Sequence, residues 1–444
     1  MPQPRKVGLF LATMLVAGNI VGSGLFLLPA SLAVYGSMTT VGWLIAAAGA
    51  LLVARVFGLL GAYAPERGGA CAYAARALGP AMGFQATALY WMSCWIGDIA
   101  LALAAIGYLA SLVRPLAAPY ALAWAAVGLI WLLTFANLLG PRWICKLEFA
   151  AMLVGLVPIA LVLVAGWRGF RLDLFLRSWN VSGQPAWRAF PQSLVLMFWA
   201  FLGIESASIA TAVVENPERN VARATWYGVL IAAVVSLSAC GIVMGLIPAP
   251  ALARSTAPFA DAAGLLLGPV AAILVAVTAC VKTVGSLGGW LLITAETGQS
   301  GAEHGLFPAL FARAGRGGVP VWNYLIVAAL MSPGVFASVS PTLGEQFGRL
   351  VSVSVILSLL LYVFAALSLW QYADPSRPQP PGLPAPRRTR AIAFAGLLFS
   401  LAIIVLSPSE ILALAAIIVF LTYALYPFCR PRLTDAAAPG RPAP

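Results

Sequence analysis

Asn19-Ile20-Val21-Gly22-Ser23-Gly24 interrupts the first apolar stretch of the chain, which runs from about Val7 to Val34. Glycine inside a helix costs on the order of 1 kcal/mol relative to alanine. In lipid, an unpaired backbone group costs several kcal/mol more. A break of this kind survives only where the opened backbone is buried in protein or lines a polar cavity. An interrupted hydrophobic span is also the sequence-level pointer to a transporter's binding site.

The surrounding composition is that of a polytopic membrane protein. Of 444 residues, 61% are hydrophobic and 9% charged, and mean hydropathy is +0.94. No soluble core uses that much apolar sequence. The net charge of +12 would suggest a nucleic-acid partner in a soluble chain, but here it reads as arginines in loops. Only Lys6, Lys146 and Lys282 are lysines, so a lysine within a span stands out. Six scattered cysteines without a CxxC pair fit reduced, buried thiols and neither a disulfide framework nor a metal site. Arg5 and Lys6 before an apolar run mimic a signal peptide, but the run is too long and has no clear cleavage site.

Hydropathy predicts twelve spans, at about 8–33, 39–63, 82–113, 119–140, 148–167, 189–213, 225–248, 266–299, 321–340, 349–371, 391–407 and 410–428. With both termini inside, the inner connections and tails carry 17 Lys/Arg and the outer ones seven, which predicts cytoplasmic ends. The exception is the outer connection from Trp167 to Arg188, long enough for a surface helix. The Pro/Arg-rich stretch 372–390 reads as a linker. It separates a core over 1–371, with repeats at about 8–167 and 189–371, from two peripheral helices at 391–428. Residues 429–444 read as a disordered tail.

A second break falls in the sixth span, at Gly203-Ile204-Glu205, five helices after the first. This predicts an all-α fold of five-plus-five inverted repeats whose first and sixth helices are discontinuous and meet near the midplane. Exposed N–H groups at such breaks suit a carboxylate, and unwound carbonyls suit an ammonium. Small residues also serve close helix packing; the symmetric placement of the two breaks favours a pocket.

GNIVGSGLFLLPA (18–30), ALYWMSCWIGDIA (88–100), SWNVSG (178–183), FLGIESAS (201–208) and GSLGGW (285–290) resemble motifs of the amino acid/polyamine/organocation transporters, specifically the basic amino-acid/polyamine antiporters. They are closest to the family's arginine/agmatine exchangers, while VVENPERNV (213–221) and STAPF (255–259) are more similar to its putrescine/ornithine members. The resemblance covers nearly the whole chain and implies a LeuT-like fold. It implies that the backbone around Ser23 and Gly24 binds the substrate carboxylate, with Asn19 and Gly22 also in the binding site, and that carbonyls of Ile20, Trp199 and Leu202 take the α-ammonium. Ser93, Cys94 and Ser354 would line the pocket, and Trp290 would stack on the cationic end. Trp199, with Trp290, would gate the outer side, and Tyr90, Glu205 and Tyr362 the inner side.

Asp98 and Lys282 depart from that pattern. If Tyr90 and Trp290 share a level, both residues lie about 12 Å from it on antiparallel helices, and a buried ion pair is the first expectation. Two alternatives stay open: Asp98 as a direct ligand of a substrate cation, and Lys282 as a built-in cation where sodium-coupled relatives bind sodium. Cys71 stands where relatives tend to have tyrosine. Arg55 is expected to snorkel, Glu296 to be solvated, and Glu205 either to gate or to cap a helix.

No GxxxxGK[ST], HExxH or GxSxG occurs, and the lone His304 has no partner motif. An enzyme is not expected, nor a cofactor or a metal. The expectation is a secondary antiporter of the bacterial inner membrane exchanging a basic amino acid for its decarboxylated amine, arginine for agmatine first. Ornithine/putrescine or lysine/cadaverine exchange and a neutral permease follow, then a channel or a sensor. Its partners are small amino acids and amines and the lipid bilayer, without nucleic acid. The last two helices are candidates for a homodimer interface.

Overall fold

Proline and glycine decide where the helices of this computed structural model begin. It describes residues 8–21, 25–63, 69–205, 215–315, 318–376 and 383–429. The helices are α1 Leu9–Ile20, α2 Leu28–Ala33, α3 Thr39–Tyr63, α4 Gly69–Leu78, α5 Pro80–Leu112, α6 Pro119–Asn137, α7 Pro141–Gly169, α8 Leu172–Arg177 and α9 Ala186–Trp199. They continue as α10 Pro217–Leu246, α11 Ala249–Leu252, α12 Pro258–Leu267, α13 Pro269–Glu303, α14 Val321–Ala337, α15 Leu343–Tyr372, α16 Pro386–Leu406 and α17 Ser409–Cys429. Proline opens α5, α6, α7, α10, α12, α13 and α16, where its missing N–H is one the helix could not bond in any case. No strand occurs among the described residues.

Among the described residues nine helices are long and apolar enough to cross a bilayer. With the shorter α14 and the two interrupted spans, α1–α2 and α9 with the turn after it, the count reaches the twelve expected. Two boundaries differ. The fifth span begins at Pro141, two turns earlier than expected, so Glu148 lies inside it. The eighth begins at Pro269, and the apolar residues before it form the separate helix α12. Gly22, Ser23, Gly24 and the tail from Arg430 lie outside the described residues.

The inverted repeat is visible in which helices pack together. α1 packs on α10 as α9 packs on α3, and α13 packs on α7 as α5 packs on α15. The pairs α3–α10, α5–α13 and α6–α14 map onto themselves. Even the connecting helices correspond, with α4 on α5 and α15, and α12 on α13 and α7. Both turn the same corner: Leu78-Gly79-Pro80 and Leu267-Gly268-Pro269, with the two glycines at φ +97° and +87°. Small residues fill each corner. A Cβ on Gly83 would lie 2.4 Å from that of Ala75, and one on Gly264 3.3 Å from that of Ala272.

α16 rests on α15, α3 and α9, and α17 on α5 and α15. Gln85 of α5 donates to Thr422 Oγ1 (2.9 Å) and to the Val419 carbonyl (3.2 Å), tying α17 to the repeat helices.

Candidate functional site

The two breaks are built by different local means. α1 ends at Ile20, and the Val21 N–H still reaches the Ala17 carbonyl at 2.8 Å. The chain resumes in a turn whose Phe26 is pinned from outside: Tyr108 donates to the Phe26 carbonyl (2.8 Å), and Phe259 meets the Phe26 ring edge-on at 5.5 Å. After α9, the N–H groups of Ala200, Phe201 and Leu202 reach back three residues, to Met197, Phe198 and Trp199. Gly203 then turns at φ +100°, a region closed to most L-residues. The Trp199 carbonyl, expected to be free for an α-ammonium, already accepts the Leu202 N–H at 3.1 Å and keeps one lone pair.

Against the second break lies a cavity lined by Tyr90, Ser93, Cys94, Gly97, Asp98, Leu101, Trp199, Leu202, Glu205, Trp290, Ser354 and Ser358. Nine of these were expected from sequence; Gly97, Leu101 and Ser358 were not. Ile20 is buried beside the first break but is not in the lining. Glu205 draws three elements together. It accepts Tyr90 Oη of α5 on Oε1 (2.9 Å), and on Oε2 it accepts Tyr362 Oη of α15 (2.5 Å) and the N–H of Gly203 (3.2 Å). All three side chains are buried.

Ser93 and Ser354, expected to face a ligand, are spent on each other. Ser93 Oγ lies 2.9 Å from the Ser354 carbonyl, and Ser354 Oγ donates to the Ser93 carbonyl at 2.8 Å. Ser358 Oγ stands 2.6 Å from Ser93 Oγ. The three serines lock α5 to α15 along the cavity wall and leave mainly acceptor capacity toward its interior.

Trp199 lines the cavity with its ring edge-on to Phe347 at 6.3 Å. It can lie there because residue 97 has no side chain. A Cβ on Gly97 would fall 2.8 Å from the Trp199 ring and 3.1 Å from Ser354 Oγ. Gly97→Ala is therefore expected to leave expression intact while slowing substrate turnover about tenfold, the scale of 1–3 kcal/mol of overpacking. Initial rates against protein amount check this.

Asp98 and Lys282 do not pair. Asp98 Oδ2 lies 3.0 Å from Thr294 Oγ1, and Oδ1 has no partner among the described residues. Thr294 is twelve residues from Lys282, about 18 Å along α13. The error lies in the register assumed for the two antiparallel helices. Asp98 is level with Thr294, and Thr87 with Gly301, so Trp290 stands about two turns from the level of Tyr90. Lys282 turns instead to α7. Its stem lies over Gly155, and its Nζ donates to Ser286 Oγ at 2.9 Å. Glu148 of α7 is the opposite charge across the same seam, its carboxyl lying over Gly289. Glu148 was passed over in the sequence as a span boundary. Of the remaining charges, Arg55 is half-buried and Glu296 and His304 are exposed. No cluster of metal-ligating side chains occurs among the described residues.

The family model for amino acid permeases matches residues 7–427. The cadaverine/lysine antiporter of Escherichia coli K12 is 33% identical over 377 residues, 84% of this chain and 85% of its own length. The putrescine transporter PotE of the same organism is 31% identical over 430 residues, 96% of this chain and 97% of its own. PotE of Haemophilus influenzae is 31% identical over 426 residues, with the same coverage.

Proposed function

From its place in the amino acid permease family, to which the chain belongs, we propose that it exchanges a basic amino acid for the corresponding diamine by alternating access. It is a multi-pass membrane transporter of a bacterial family and not an enzyme. The observation that supports the exchange reading is the cavity at the second helix break, whose lining includes both Trp199 and Glu205, the latter held by Tyr90 and Tyr362; within this reading they are its two closures. A carrier needs such a site with a separate closure on each side, whereas a channel needs an open path.

Within this reading the backbone at Gly22, Ser23 and Gly24 binds the substrate carboxylate. The carbonyls of Ile20, Trp199 and Leu202 take the α-ammonium. Trp290 offers its ring face to the distal cation, worth about 0.5–2 kcal/mol. Trp199 acts as outer gate and the Glu205 clamp as inner gate, with the termini cytoplasmic and the protein in the inner membrane. Lysine/cadaverine exchange is the leading pair and ornithine/putrescine the second, supported by relatives that carry cadaverine, lysine and putrescine in their names. These replace arginine/agmatine, the first expectation from the motifs.

The test is counterflow in proteoliposomes loaded with labelled lysine, with cadaverine, ornithine, putrescine, arginine, agmatine and neutral amino acids outside. Lysine and cadaverine are expected to drive the fastest saturable exchange. Voltage-driven unitary currents would instead mean a channel, and binding without flux a sensor.

A further inference from the structure

We infer that the Asp98 carboxylate is the seat of the substrate's distal ammonium, and that its need for a counter-charge makes exchange obligatory. The inference rests on the antiporter reading above. It adds which group the cavity reads at its far end and why the carrier does not return empty.

Asp98 sits in the middle of α5 and is 1% exposed. The Thr294 hydroxyl lies within hydrogen-bond distance of both Asp98 Oδ2 (3.0 Å) and the Trp290 carbonyl (2.9 Å), and it has one proton to give. Asp98 therefore receives at most one hydrogen bond, on Oδ2, while the buried Oδ1 has no partner. No lysine or arginine forms an ion pair with it among the described residues, and Lys282 is turned away to α7. It shares the cavity lining with Cys94, Gly97, Leu101, Trp199 and Trp290 among others. A carboxylate held in a span without a cation and with at most one donor is costly and by default functional.

A cation entering the cavity meets a free carboxylate oxygen and an indole in the same wall, the two features that bind ammonium well. One free oxygen matches the point charge of an ammonium. The planar fork of a guanidinium is best met by two, and Oδ2 is engaged by Thr294. The same geometry separates the loaded from the empty carrier. With an ammonium in place the closed cavity is close to neutral. Without one, closing must either bury an uncompensated charge in the span or wait for the carboxylate to take up a proton, and either step slows the empty carrier's return.

The experiment uses the full-length protein in proteoliposomes loaded with labelled cadaverine. Efflux is measured at one pH into buffer alone and into buffer with lysine. Wild type is expected to exchange at least about tenfold faster than it leaks, the worth of one charge-assisted contact. Asp98→Asn should lower exchange and raise net efflux toward it, bringing the ratio near one. Asp98→Glu should keep the ratio high, and so should Thr294→Val, which alters the hold on the charge without removing it. In detergent, wild type should bind lysine over norleucine, its isostere without the distal amine, and Asp98→Asn should lose that preference. An Asp98→Asn protein that keeps the wild-type ratio and preference overturns the inference, as does one that loses lysine and norleucine equally. A wild type without counterflow for any cation removes the antiporter reading and obligatory exchange with it; the lysine-over-norleucine comparison then still decides the ammonium seat.

Discussion

Glu205→Ala should all but abolish exchange, by about a hundredfold or more, while Glu205→Gln retains roughly a tenth of wild-type rate. Tyr90 and Tyr362 are buried partners of this one carboxylate, and they come from α5 and α15, helices of opposite repeats. Alanine leaves both hydroxyls without their acceptor, at about 1–3 kcal/mol each. It also removes the oxygen that accepts the Gly203 N–H, where the backbone turns at φ +100°. Glutamine still accepts on its carbonyl oxygen, but its amide nitrogen faces a tyrosine that must then act as acceptor. Tyr90→Phe and Tyr362→Phe each remove one contact and should fall between wild type and the alanine variant. Counterflow in proteoliposomes, with monodisperse protein confirmed for each variant, checks the order. If Glu205→Ala and Glu205→Gln both exchange at wild-type rate, the clamp does not gate and Glu205 is a helix cap.

The fold was legible because hydropathy and two glycine-centred breaks are strong signals in a bilayer. Lipid forbids the open backbone that Gly203 creates unless something polar or buried receives it. What stayed hidden was register. Placing Asp98 opposite Lys282 required the relative height of α5 and α13, and periodicity along one helix carries no information about its offset from another. The corner motif Leu-Gly-Pro at 78–80 and 267–269 would have helped. It marks the start of both long helices, would have split α12 from α13, and is itself a sequence trace of the repeat. Glu148 was missed for a related reason: with Lys146 it depresses hydropathy at the start of the fifth span, although Gly140-Pro141 marks the helix start more sharply.

Glu148→Gln should destabilise the protein more than Lys282→Met, and the double variant should be close to wild type. The two side chains cross the α7–α13 seam in opposite directions, each seated on a glycine of the other helix: Lys282 on Gly155 and Glu148 on Gly289. Each is seven residues from the glycine on its own helix, which suits two antiparallel helices of equal rise. Burial makes the pair unequal. Lys282 is 4% exposed and has Ser286 as its hydrogen-bond acceptor, whereas Glu148 is only half-buried. Neutralising Glu148 leaves an ammonium deep in the seam without its nearest counter-charge, a loss of about 2 kcal/mol or more. Neutralising Lys282 leaves a carboxylate that can turn toward water or headgroups, and methionine keeps the stem over Gly155, so the loss should stay below about 1 kcal/mol. Thermal unfolding in detergent reads the four corners of this cycle, and coupling between the two sites is the expected result. A parallel cycle of Lys282→Met with Asp98→Asn should be additive, because those residues share no partner. Coupling in that second cycle and additivity in the first would restore the pairing across α5 and α13 that the side-chain positions argue against.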